Sequence, residues 1–445
     1  MNSISHNQSK IKAQQLPKLR HLIKIALEKN KFYQKKFKSC GITSEKDIAS
    51  WNDFNKIPFT TKQELINDQK ENPPYGTNIT APIHTFVYLT QTSGTVKGKR
   101  FSTIYTRAGF QAALEVETTW LKLMGVNKRD RLMFALPYAL YPFVADSANR
   151  LGAMLLPADG HTSYELLNNI MTLRPTVLES SPTAILNLTE TAKTDGIPIQ
   201  KSGIHKIILT GEIGATIPSI RKIIETAWRA DCYDALGSTE LSIFSFECPY
   251  KTGPHLIETN TIFEVINSST KKQSEEGELV GTALWRKDCL FIRYRTGDFV
   301  RLNRNPCACG WQSPRLDGGI IGKVDGTLKI RATSYFPTEI ERLIRKIKEI
   351  NEFSISIIKE NELDMLLVYI EVTPTAKHNV ADIVKTSFYK YFGFEPRVIM
   401  VLPGMLPRQS WKTIRVIDKR DNPILETVPQ GWYSRLITRC FHKKG

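Results

Sequence analysis

The feature that most constrains the fold of this chain is an alternation of short apolar segments with helical segments over roughly residues 86–300. Thr176–Leu178 and Lys206–Leu209 are typical of buried strands, and Ile217–Arg229 has the apolar spacing of a helix. This alternation predicts an α/β fold with substantially parallel sheets. In such sheets functional loops leave the C-terminal ends of strands. The candidate loops are Thr92–Lys99, Gly211–Glu212 and Gly237–Glu240.

A second pattern begins after a glycine-rich segment at residues 315–326. It predicts, in order, a strand, a helix, two strands, a helix and a strand, at Leu328–Arg331, Pro337–Ile350, Phe353–Ile358, Met365–Val372, Val380–Tyr391 and Arg397–Leu402. We therefore expect a large multi-sheet α/β domain over residues 1–324 and a small α+β domain over residues 325–445. A hinge is expected at Lys323–Gly326.

Composition excludes several classes of protein. The 445 residues are 41% hydrophobic and 24% charged, which is typical of a globular protein. The longest apolar region, residues 132–158, is interrupted by Pro137, Pro142, Asp146 and Arg150, so no membrane span is expected. The N-terminus lacks the apolar core of a secretory signal. We expect a cytoplasmic protein without a membrane partner.

The formal net charge is +17, from 61 Lys and Arg against 44 Asp and Glu. This charge favours anionic partners such as nucleotides or coenzyme A, although solubility alone explains it equally well. The basic residues are dispersed and are not interleaved with aromatic residues. Nucleic acid is therefore not an expected partner.

Residues 90–99 read TQTSGTVKGK and follow an apolar segment. Backbone N–H groups exposed by glycine, together with hydroxyl groups, can hold phosphate oxygens. Ser93, Gly94 and Thr95 are therefore candidate phosphate ligands. No Gly-Lys-Ser/Thr follows at the required spacing, which excludes a Walker A loop. An ordinary surface turn explains the same residues.

Three further segments combine charged residues with turn signals. Glu240 closes the segment Gly237–Glu240 and can hold Mg²⁺ through its carboxylate, unless this segment simply starts a helix. Asp298 follows an arginine-rich strand and can accept hydrogen bonds from ribose hydroxyls, or form a surface ion pair. Lys412 ends a polar loop and can stabilise charge on a carboxylate–phosphate centre, or belong to a plain basic loop.

Each segment is weak evidence alone, but their order resembles that of the adenylate-forming superfamily of acyl-CoA synthetases, adenylation domains and luciferases. The most similar branch is that of the phenylacetate–CoA ligases, and the resemblance covers nearly the whole chain. The matching segments are Phe32-Tyr33, Ile57–Lys62, Ser93–Thr95, Gly211-Glu212, Gly237–Glu240, Tyr294–Asp298, Gly322–Asp325 and Pro407–Lys412.

The resemblance implies a ligase that activates a small carboxylic acid in two steps. The carboxylate attacks the α-phosphate of ATP, giving an acyl-adenylate and pyrophosphate, and a thiol then displaces AMP. That thiol usually belongs to coenzyme A or to a carrier-protein pantetheine. The chemistry depends on positioning and charge and needs no side-chain nucleophile.

The resemblance also assigns roles to residues. Ser93, Gly94 and Thr95 would hold the β- and γ-phosphates of ATP. Gly211 and Glu212 would line the adenine, and Gly237 and Ser238 would lie beside the nucleotide. Thr239 would contact the α-phosphate, and Glu240 would bind Mg²⁺. Asp298 would bind the ribose, with Lys323 nearby. Asp325 would be the hinge of a mobile lid, the small domain, which carries the catalytic Lys412.

This chain departs from the family pattern at several positions. Val96-Lys97 replaces Thr-Gly in the phosphate loop, Leu236 replaces tyrosine, Lys323 replaces arginine, and Trp411 replaces glycine. Ala332 replaces a glycine beside the pantetheine tunnel, and the added methyl group can narrow it. Adenylation remains the expectation, with coenzyme A as the first acceptor. A carrier protein, an amine acceptor, or a catalytically impaired nucleotide-binding relative are the alternatives.

Cys248, His255, Cys307 and Cys309 offer three thiolates and an imidazole, a set that can form a tetrahedral zinc site. They can equally be small buried apolar residues. The resemblance favours a structural zinc, since the phenylacetate–CoA ligase-like branch often carries cysteines and a histidine at similar places.

The acid is expected between residues 136–143 and the loops near Gly211 and Leu236. Tyr138, Tyr141 and Phe143 would wall this pocket or belong to the core. Family analogy favours an aromatic or heteroaromatic acid, and the protein is expected to be a monomer or a homodimer.

Overall fold

A computed structural model describes residues 8–92, 100–136, 142–156, 158, 162–330, 333–360, 363–373, 379–407, 413 and 415–420 of the chain. These residues form two compact units that divide between Thr327 and Leu328. The boundary predicted from the sequence, between residues 324 and 325, lies slightly earlier. None of the described helices is both long and apolar enough to cross a membrane.

The larger unit begins with helices and a short hairpin. The helices are α1 (Gln8–Lys29), α2 (Lys31–Lys38), α3 (Trp51–Phe54) and α4 (Lys62–Glu71), with 3₁₀ turns at Glu45–Asp47 and Ile83–Thr85. Strands β1 (Phe86–Gln91) and β2 (Ser102–Thr106) then pair antiparallel, and α5 (Arg107–Leu123) follows. The Thr106 hydroxyl accepts a hydrogen bond from the Gly109 N–H at 3.0 Å and so caps α5.

The central part of the larger unit alternates strands and helices as the sequence predicts. The strands are β3 (Arg131–Ala135), β4 (Met154–Leu156), β5 (Val177–Ser180), β6 (Lys206–Leu209) and β7 (Asp231–Ser238). The helices between them are α6 (Pro142–Arg150), α7 (Ser163–Leu173), α8 (Pro182–Thr194) and α9 (Pro218–Trp228), with a 3₁₀ turn at Ile199–Lys201. These five strands are parallel, in the spatial order β4-β3-β5-β6-β7. The predicted α/β fold is confirmed.

The same sheet continues with six antiparallel-paired strands. They are β8 (Ser242–Glu247), β9 (Pro254–Leu256), β10 (Thr261–Ile266), β11 (Glu276–Ala283), β12 (Tyr294–Asn303) and β13 (Arg315–Lys323). The order beyond β7 is β8-β9-β13-β12-β11-β10, which completes an eleven-stranded sheet. The change from parallel to antiparallel pairing occurs at the β7–β8 connection, which carries Thr239 and Glu240.

The smaller unit is an α+β structure. It contains the hairpin β14 (Leu328–Ile330) and β15 (Thr333–Tyr335), strands β16 (Ile350–Glu360), β17 (Leu363–Val372), β18 (Arg397–Val401) and β19 (Val416–Asp418), and helices α10 (Pro337–Ile344) and α11 (Val380–Phe392). The four-stranded sheet has the order β18-β17-β16-β19. Ile340 of α10 and Phe388 of α11 are buried in one apolar cluster with Ile355 and Val368 of the sheet.

One predicted helix of the smaller unit is too long. The apolar spacing predicts a helix over Pro337–Ile350, but α10 ends at Ile344 and β16 begins at Ile350. Ile350 pairs with Val372 in the β16–β17 ladder and is buried there. Pairing with a distant strand therefore overrides the local helical pattern, as β-branched residues readily permit.

The smaller unit contains a buried ionic group centred on Glu352. Its carboxylate accepts hydrogen bonds from Arg345 Nη2 at 3.0 Å, Arg415 Nε at 2.9 Å and the Phe353 N–H at 2.9 Å. Burial alone would raise the pKa of Glu352, but the two guanidinium groups lower it to about 2. The depressed pKa contributes about 3 kcal/mol to stability above pH 4.5, and this is lost as the pH falls toward 2.

We expect Glu352→Gln to lower the free energy of unfolding at pH 7 by about 3 kcal/mol, because it leaves two buried guanidinium groups without their carboxylate. The difference from wild type should shrink as the pH falls below about 4.5. Urea denaturation followed by circular dichroism measures both effects. Glu395→Gln, the same change at an exposed position of this unit, is the control. A pH-independent difference would contradict the role given to the ionised carboxylate.

Candidate active site

The segment Gly237–Glu240 lies at the turn from β7 to β8. No helix starts there, because Gly237 and Ser238 already pair with Ile243 and Ser242 of β8. A Cβ atom on Gly237 would lie 2.9 Å from the Ser242 carbonyl oxygen, so the turn needs glycine. The predicted carboxylate Glu240 therefore lies on a tight β-hairpin, beyond the last parallel strand.

Glu240 is buried, and its carboxylate has two polar neighbours from other parts of the chain. The Tyr294 hydroxyl donates a hydrogen bond to Glu240 Oε1 at 2.7 Å, and Lys62 Nζ lies 3.8 Å from the same oxygen. The segment that carries Lys62 is anchored at Thr60, whose N–H donates to the Arg293 carbonyl at 2.9 Å. Burial raises the pKa of Tyr294 well above its usual value, and the Glu240 charge adds to this rise. The phenol therefore remains a hydrogen-bond donor.

Asp298 and Lys323 form a second polar group, on neighbouring strands β12 and β13. The two residues are paired in the β12–β13 register, and Lys323 Nζ lies 2.8 Å from Asp298 Oδ1. Gly297 has φ +74°, a left-handed conformation that favours glycine. The Gly297 carbonyl accepts a hydrogen bond from the Val324 N–H at 2.7 Å, which fixes the segment leading to Asp325.

Gly211 and Glu212 lie in the loop after β6. Gly211 has φ +85°, and the Glu212 carboxylate accepts a hydrogen bond from the Thr183 N–H at 3.1 Å, at the start of α8. The far side of this loop is held by Asp234, which accepts from the backbone N–H of Ala215 at 2.8 Å and of Thr216 at 2.7 Å. Burial, assisted by Glu247, raises the pKa of Asp234 to about 6.

Several predicted site residues lie outside the described residues. They are Ser93, Gly94, Thr95 and Lys412, the residues that differ from the family pattern at Val96, Lys97, Ala332 and Trp411, and the expected pocket residues Tyr138 and Tyr141.

The residues on both sides of the phosphate loop are described. Thr92 N–H donates to the Phe101 carbonyl at 2.9 Å, and the Phe101 N–H donates to the Thr92 hydroxyl at 3.1 Å. Both ends of the loop are therefore anchored by the β1–β2 hairpin.

A small cavity of about 50 Å³ lies beside the Gly211 and Thr239 loops. Phe143 lines it and packs against Tyr105, with ring centroids 5.0 Å apart, so Phe143 is both a core residue and a cavity wall. Two buried glutamates, Glu117 of α5 and Glu179 of β5, also line it. Neither glutamate is among the site residues predicted from the sequence.

A larger cavity of about 480 Å³ lies elsewhere in the same unit. Pro218, Arg221 and Lys222 of α9 line it together with Glu247 and Asp317. Its walls include none of the predicted site residues, so its greater size does not make it the candidate active site.

The cluster of Cys248, His255, Cys307 and Cys309 is brought together as the sequence predicts, by the β8–β9 turn, β9 and the connection between β12 and β13. The four candidate ligand atoms lie within 4.8 Å of one another. Cys248 Sγ is 3.7 Å from Cys307 Sγ, too far for a disulfide, and Cys309 Sγ is 3.4 Å from His255 Nε2. A zinc tetrahedron with bonds of about 2.3 Å has edges of about 3.8 Å, which matches this spacing.

The His255 ring is oriented for metal binding. Its Nδ1 lies 3.1 Å from the Ser313 carbonyl, which leaves Nε2 facing the thiols. A histidine that ligates zinc usually donates its second ring N–H in this way. Burial lowers the pKa of His255 and favours the neutral form that binds metal, whereas burial raises the pKa of the Cys248 thiol to about 12. The donor set and its spacing fit zinc.

Known proteins resemble this chain along most of its length. A family model described as the AMP-binding enzyme C-terminal domain matches residues 332–420. The phenylacetate-coenzyme A ligase of Pseudomonas putida is 28% identical over 428 residues, covering 92% of this chain and 94% of that protein. The Escherichia coli (strain K12) enzyme of the same name is 27% identical over 430 residues, covering 92% and 95%. These comparisons support a phenylacetate–CoA ligase-like member of the adenylate-forming superfamily.

A solved structure agrees with this membership at the level of the fold. The 2-hydroxyisobutyryl-CoA ligase, in its postadenylation state with 2-HIB-AMP, superposes with a TM-score of 0.86 at 23% identity, covering 97% of this chain and 93% of that one. The predicted two-part α/β architecture is therefore confirmed.

The structure brings some of the predicted site residues together and adds others. The nearby carboxylates of Asp298 and Glu240 raise the pKa of Lys323, against the opposing effect of desolvation. Lys62 and Tyr294 contact Glu240 but were not predicted to do so from the sequence. Both residues stand in segments that resemble the family, so their positions within those segments were the available signal.

Proposed function

We propose that the protein activates a small carboxylic acid with ATP and transfers the acyl group to coenzyme A. A carboxylate oxygen attacks the α-phosphorus, the bond to the bridging oxygen breaks, and pyrophosphate leaves. The coenzyme A thiol then loses its proton and attacks the acyl carbon, and AMP leaves with the carboxylate oxygen. The main support is sequence likeness to phenylacetate-coenzyme A ligases over 92% of the chain, joined to the polar group around Glu240.

The described residues support specific roles toward ATP. Asp298 would accept hydrogen bonds from the ribose hydroxyls, and Lys323, 2.8 Å from it, would add positive charge beside the nucleotide. Gly211 and Glu212 would line the adenine, with Gly237 and Ser238 shaping the turn. Thr239 would contact the α-phosphate. These roles rest on the family resemblance together with the geometry of the loops.

Glu240 fits a magnesium ligand. Mg²⁺ is usually held by one or two carboxylates together with substrate phosphates, and Glu240 is a buried carboxylate on the turn beside Thr239. When bound with ATP, the ion supplies charge stabilisation at the phosphates. Tyr294 orients the carboxylate, and Lys62 adds a positive charge on the same side.

Residues outside the described part complete the proposal. Ser93, Gly94 and Thr95 would hold the β- and γ-phosphates, and Lys412 would stabilise the adenylation transition state. Residues 1–324 would bind ATP and the acid, and residues 325–445 would form a lid turning at Asp325. We expect the enzyme to act in the cytoplasm as a monomer or homodimer.

Carboxylate-dependent exchange of labelled pyrophosphate into ATP tests the first half-reaction without an acceptor. The panel contains aryl, heteroaryl, amino, hydroxy and short aliphatic acids. Exchange with one group of acids supports adenylation, and mass spectrometry with added coenzyme A then shows whether an acyl-CoA forms with release of AMP. Exchange without acyl-CoA would favour a carrier protein or an amine as acceptor. No exchange by folded protein would favour a catalytically impaired nucleotide-binding relative.

We also propose a structural zinc at Cys248, His255, Cys307 and Cys309. The support is the spacing of the four ligand atoms and the Ser313 contact that orients the imidazole. A bound zinc would tie the β8–β9 turn to the β12–β13 connection, and four protein ligands would leave a tetrahedral ion no open position for catalysis. The role of zinc here would be to stabilise the larger unit.

A further inference from the structure

The cavity beside the Gly211 and Thr239 loops carries two buried carboxyl groups of different character. Glu117 is satisfied: one oxygen accepts a hydrogen bond from Trp120 Nε1 and the other from the Ser242 hydroxyl. The carboxyl group of Glu179, in contrast, lacks a hydrogen-bond partner for either oxygen in the part of the chain that the structure describes. The residue is nevertheless only 1% exposed.

The position of Glu179 in the sheet explains why it is so deeply buried. It lies in β5, a central strand, where it is paired with Phe134 of β3 on one side and with Ile208 of β6 on the other. Val177 and Leu178 of the same strand are fully buried apolar residues. A purely structural residue at this position would be apolar, since a buried carboxyl group without a partner costs stability.

No compensating positive charge lies among the described residues that line the cavity with Glu179. The cavity walls include no lysine, arginine or histidine among the described residues. Burial, and secondarily the charge of Glu117, raise the pKa of Glu179 well above its usual value. A bound group that donates a hydrogen bond to Glu179, or that carries positive charge, would offset both the burial of the carboxyl group and its repulsion by Glu117.

We propose that Glu179 receives an N–H or O–H group of the acid substrate, so that the enzyme activates a carboxylic acid bearing an amino or hydroxyl substituent. This assignment rests on the proposed adenylation function, because it places the acyl group in the cavity that Thr239 and Gly211 also line. Two facing carboxyl groups with no cation among the described walls make an amino substituent the closer match in charge.

The size of the cavity guides the choice of acids. The described walls enclose about 50 Å³, whereas a cavity of about 150 Å³ holds benzene. The test therefore includes short aliphatic acids as well as aromatic acids. Matched sets are propionate, 3-aminopropionate, 2-aminopropionate and lactate, and benzoate with its three aminobenzoates and three hydroxybenzoates.

The experiment measures kcat/KM for pyrophosphate exchange with each set, in wild type and three variants. Wild type should prefer a donor-bearing acid over its hydrocarbon parent by about 100-fold, because a site built to hydrogen-bond a substituent rejects analogues that lack it. Glu179→Met should lower exchange with that acid by about 100-fold and reduce or reverse the preference. Glu115→Met, the same change at an exposed position of α5, should change neither value.

Glu179→Gln separates the two kinds of donor. It keeps a hydrogen-bonding side chain but cannot ionise. Pyrophosphate exchange with an amino-substituted acid should therefore fall as much as in Glu179→Met. Exchange with a hydroxy acid should fall by less than about tenfold. If Glu179→Met does not fold, the comparison of Glu179→Gln with wild type still tests the role of Glu179. If Glu179→Met does fold, its melting temperature should rise, since an unpaired buried carboxyl group has been removed.

The outcomes distinguish this inference from the proposed function. Exchange that is equally fast with hydrocarbon acids, or a preference that Glu179→Met and Glu179→Gln leave unchanged, overturns the role of Glu179 while adenylation stands. No exchange with any acid, combined with no thermal stabilisation by any donor-bearing acid, overturns both.

Discussion

Replacement of Glu240 by glutamine should lower pyrophosphate exchange by about 100- to 1,000-fold, the usual loss when one preorganised electrostatic group is removed from a reacting centre. The amide retains the size of the side chain and a hydrogen-bonding oxygen toward Tyr294, but it loses the negative charge proposed to hold Mg²⁺. The result should be a large fall in kcat with little change in the melting temperature. Exchange assays and thermal unfolding of the full chain measure the two effects.

Two further variants show whether the charge of Glu240 is responsible. Tyr294→Phe removes the hydroxyl that donates to Glu240 at 2.7 Å but keeps the carboxylate, so its loss should be about tenfold or less. Glu240→Asp keeps the charge on a shorter side chain and should recover part of the activity at high Mg²⁺ concentration. Unchanged exchange and unchanged Mg²⁺ dependence in Glu240→Gln would show that this carboxylate is not the metal ligand.

Removal of zinc should destabilise the larger unit strongly. Structural zinc contributes about 10 kcal/mol or more to the folding of small zinc domains. Here the cluster also borders a large apolar core, so we expect a loss of about 5 kcal/mol, which lowers the melting temperature by about 10 °C. Cys309→Ser should give the same shift, together with loss of bound zinc. Differential scanning calorimetry and elemental analysis of protein purified without chelators measure both quantities.

Cys289 provides the matched control for the zinc prediction. It is a buried cysteine of the same unit, outside the cluster, with its Sγ 3.6 Å from the Asn78 side-chain amide nitrogen. Cys289→Ala should retain one zinc per chain and cost only about 1 kcal/mol. Wild-type protein that contains no zinc, with a melting temperature that Cys309→Ser leaves unchanged, would show that the four residues are simply packed side chains.

The sequence was sufficient to predict the parts of the fold that depend on local pattern. The apolar runs at Lys206–Leu209 and near Val177 are buried parallel strands, because strands covered on both faces need continuous apolar residues. The cysteine and histidine cluster was also predictable, since few residue types bind zinc and the resemblance pointed to the same positions.

Contacts between distant segments could not be predicted in this way. Glu179 stands in the sequence VLESSPTA, where a glutamate after two apolar residues resembles an ordinary strand end. Its burial depends on β3 and β6 lying on both sides of it, and neither is adjacent in sequence. The contact between Lys62 and Glu240 likewise joins two segments that are far apart in the chain.

The change of strand direction after β7 separates the proposed acid-binding carboxyl groups from the proposed ribose contact. Glu117 and Glu179 belong to α5 and to the parallel half of the sheet, whereas Asp298 and Lys323 belong to the antiparallel half. With these proposed roles, mutations on α5 and β5 that exchange one acid for another can accumulate while the ribose contact on β12 and β13 is retained. Laboratory evolution aimed at new acids should begin with α5 and β5 and keep β12 and β13 fixed.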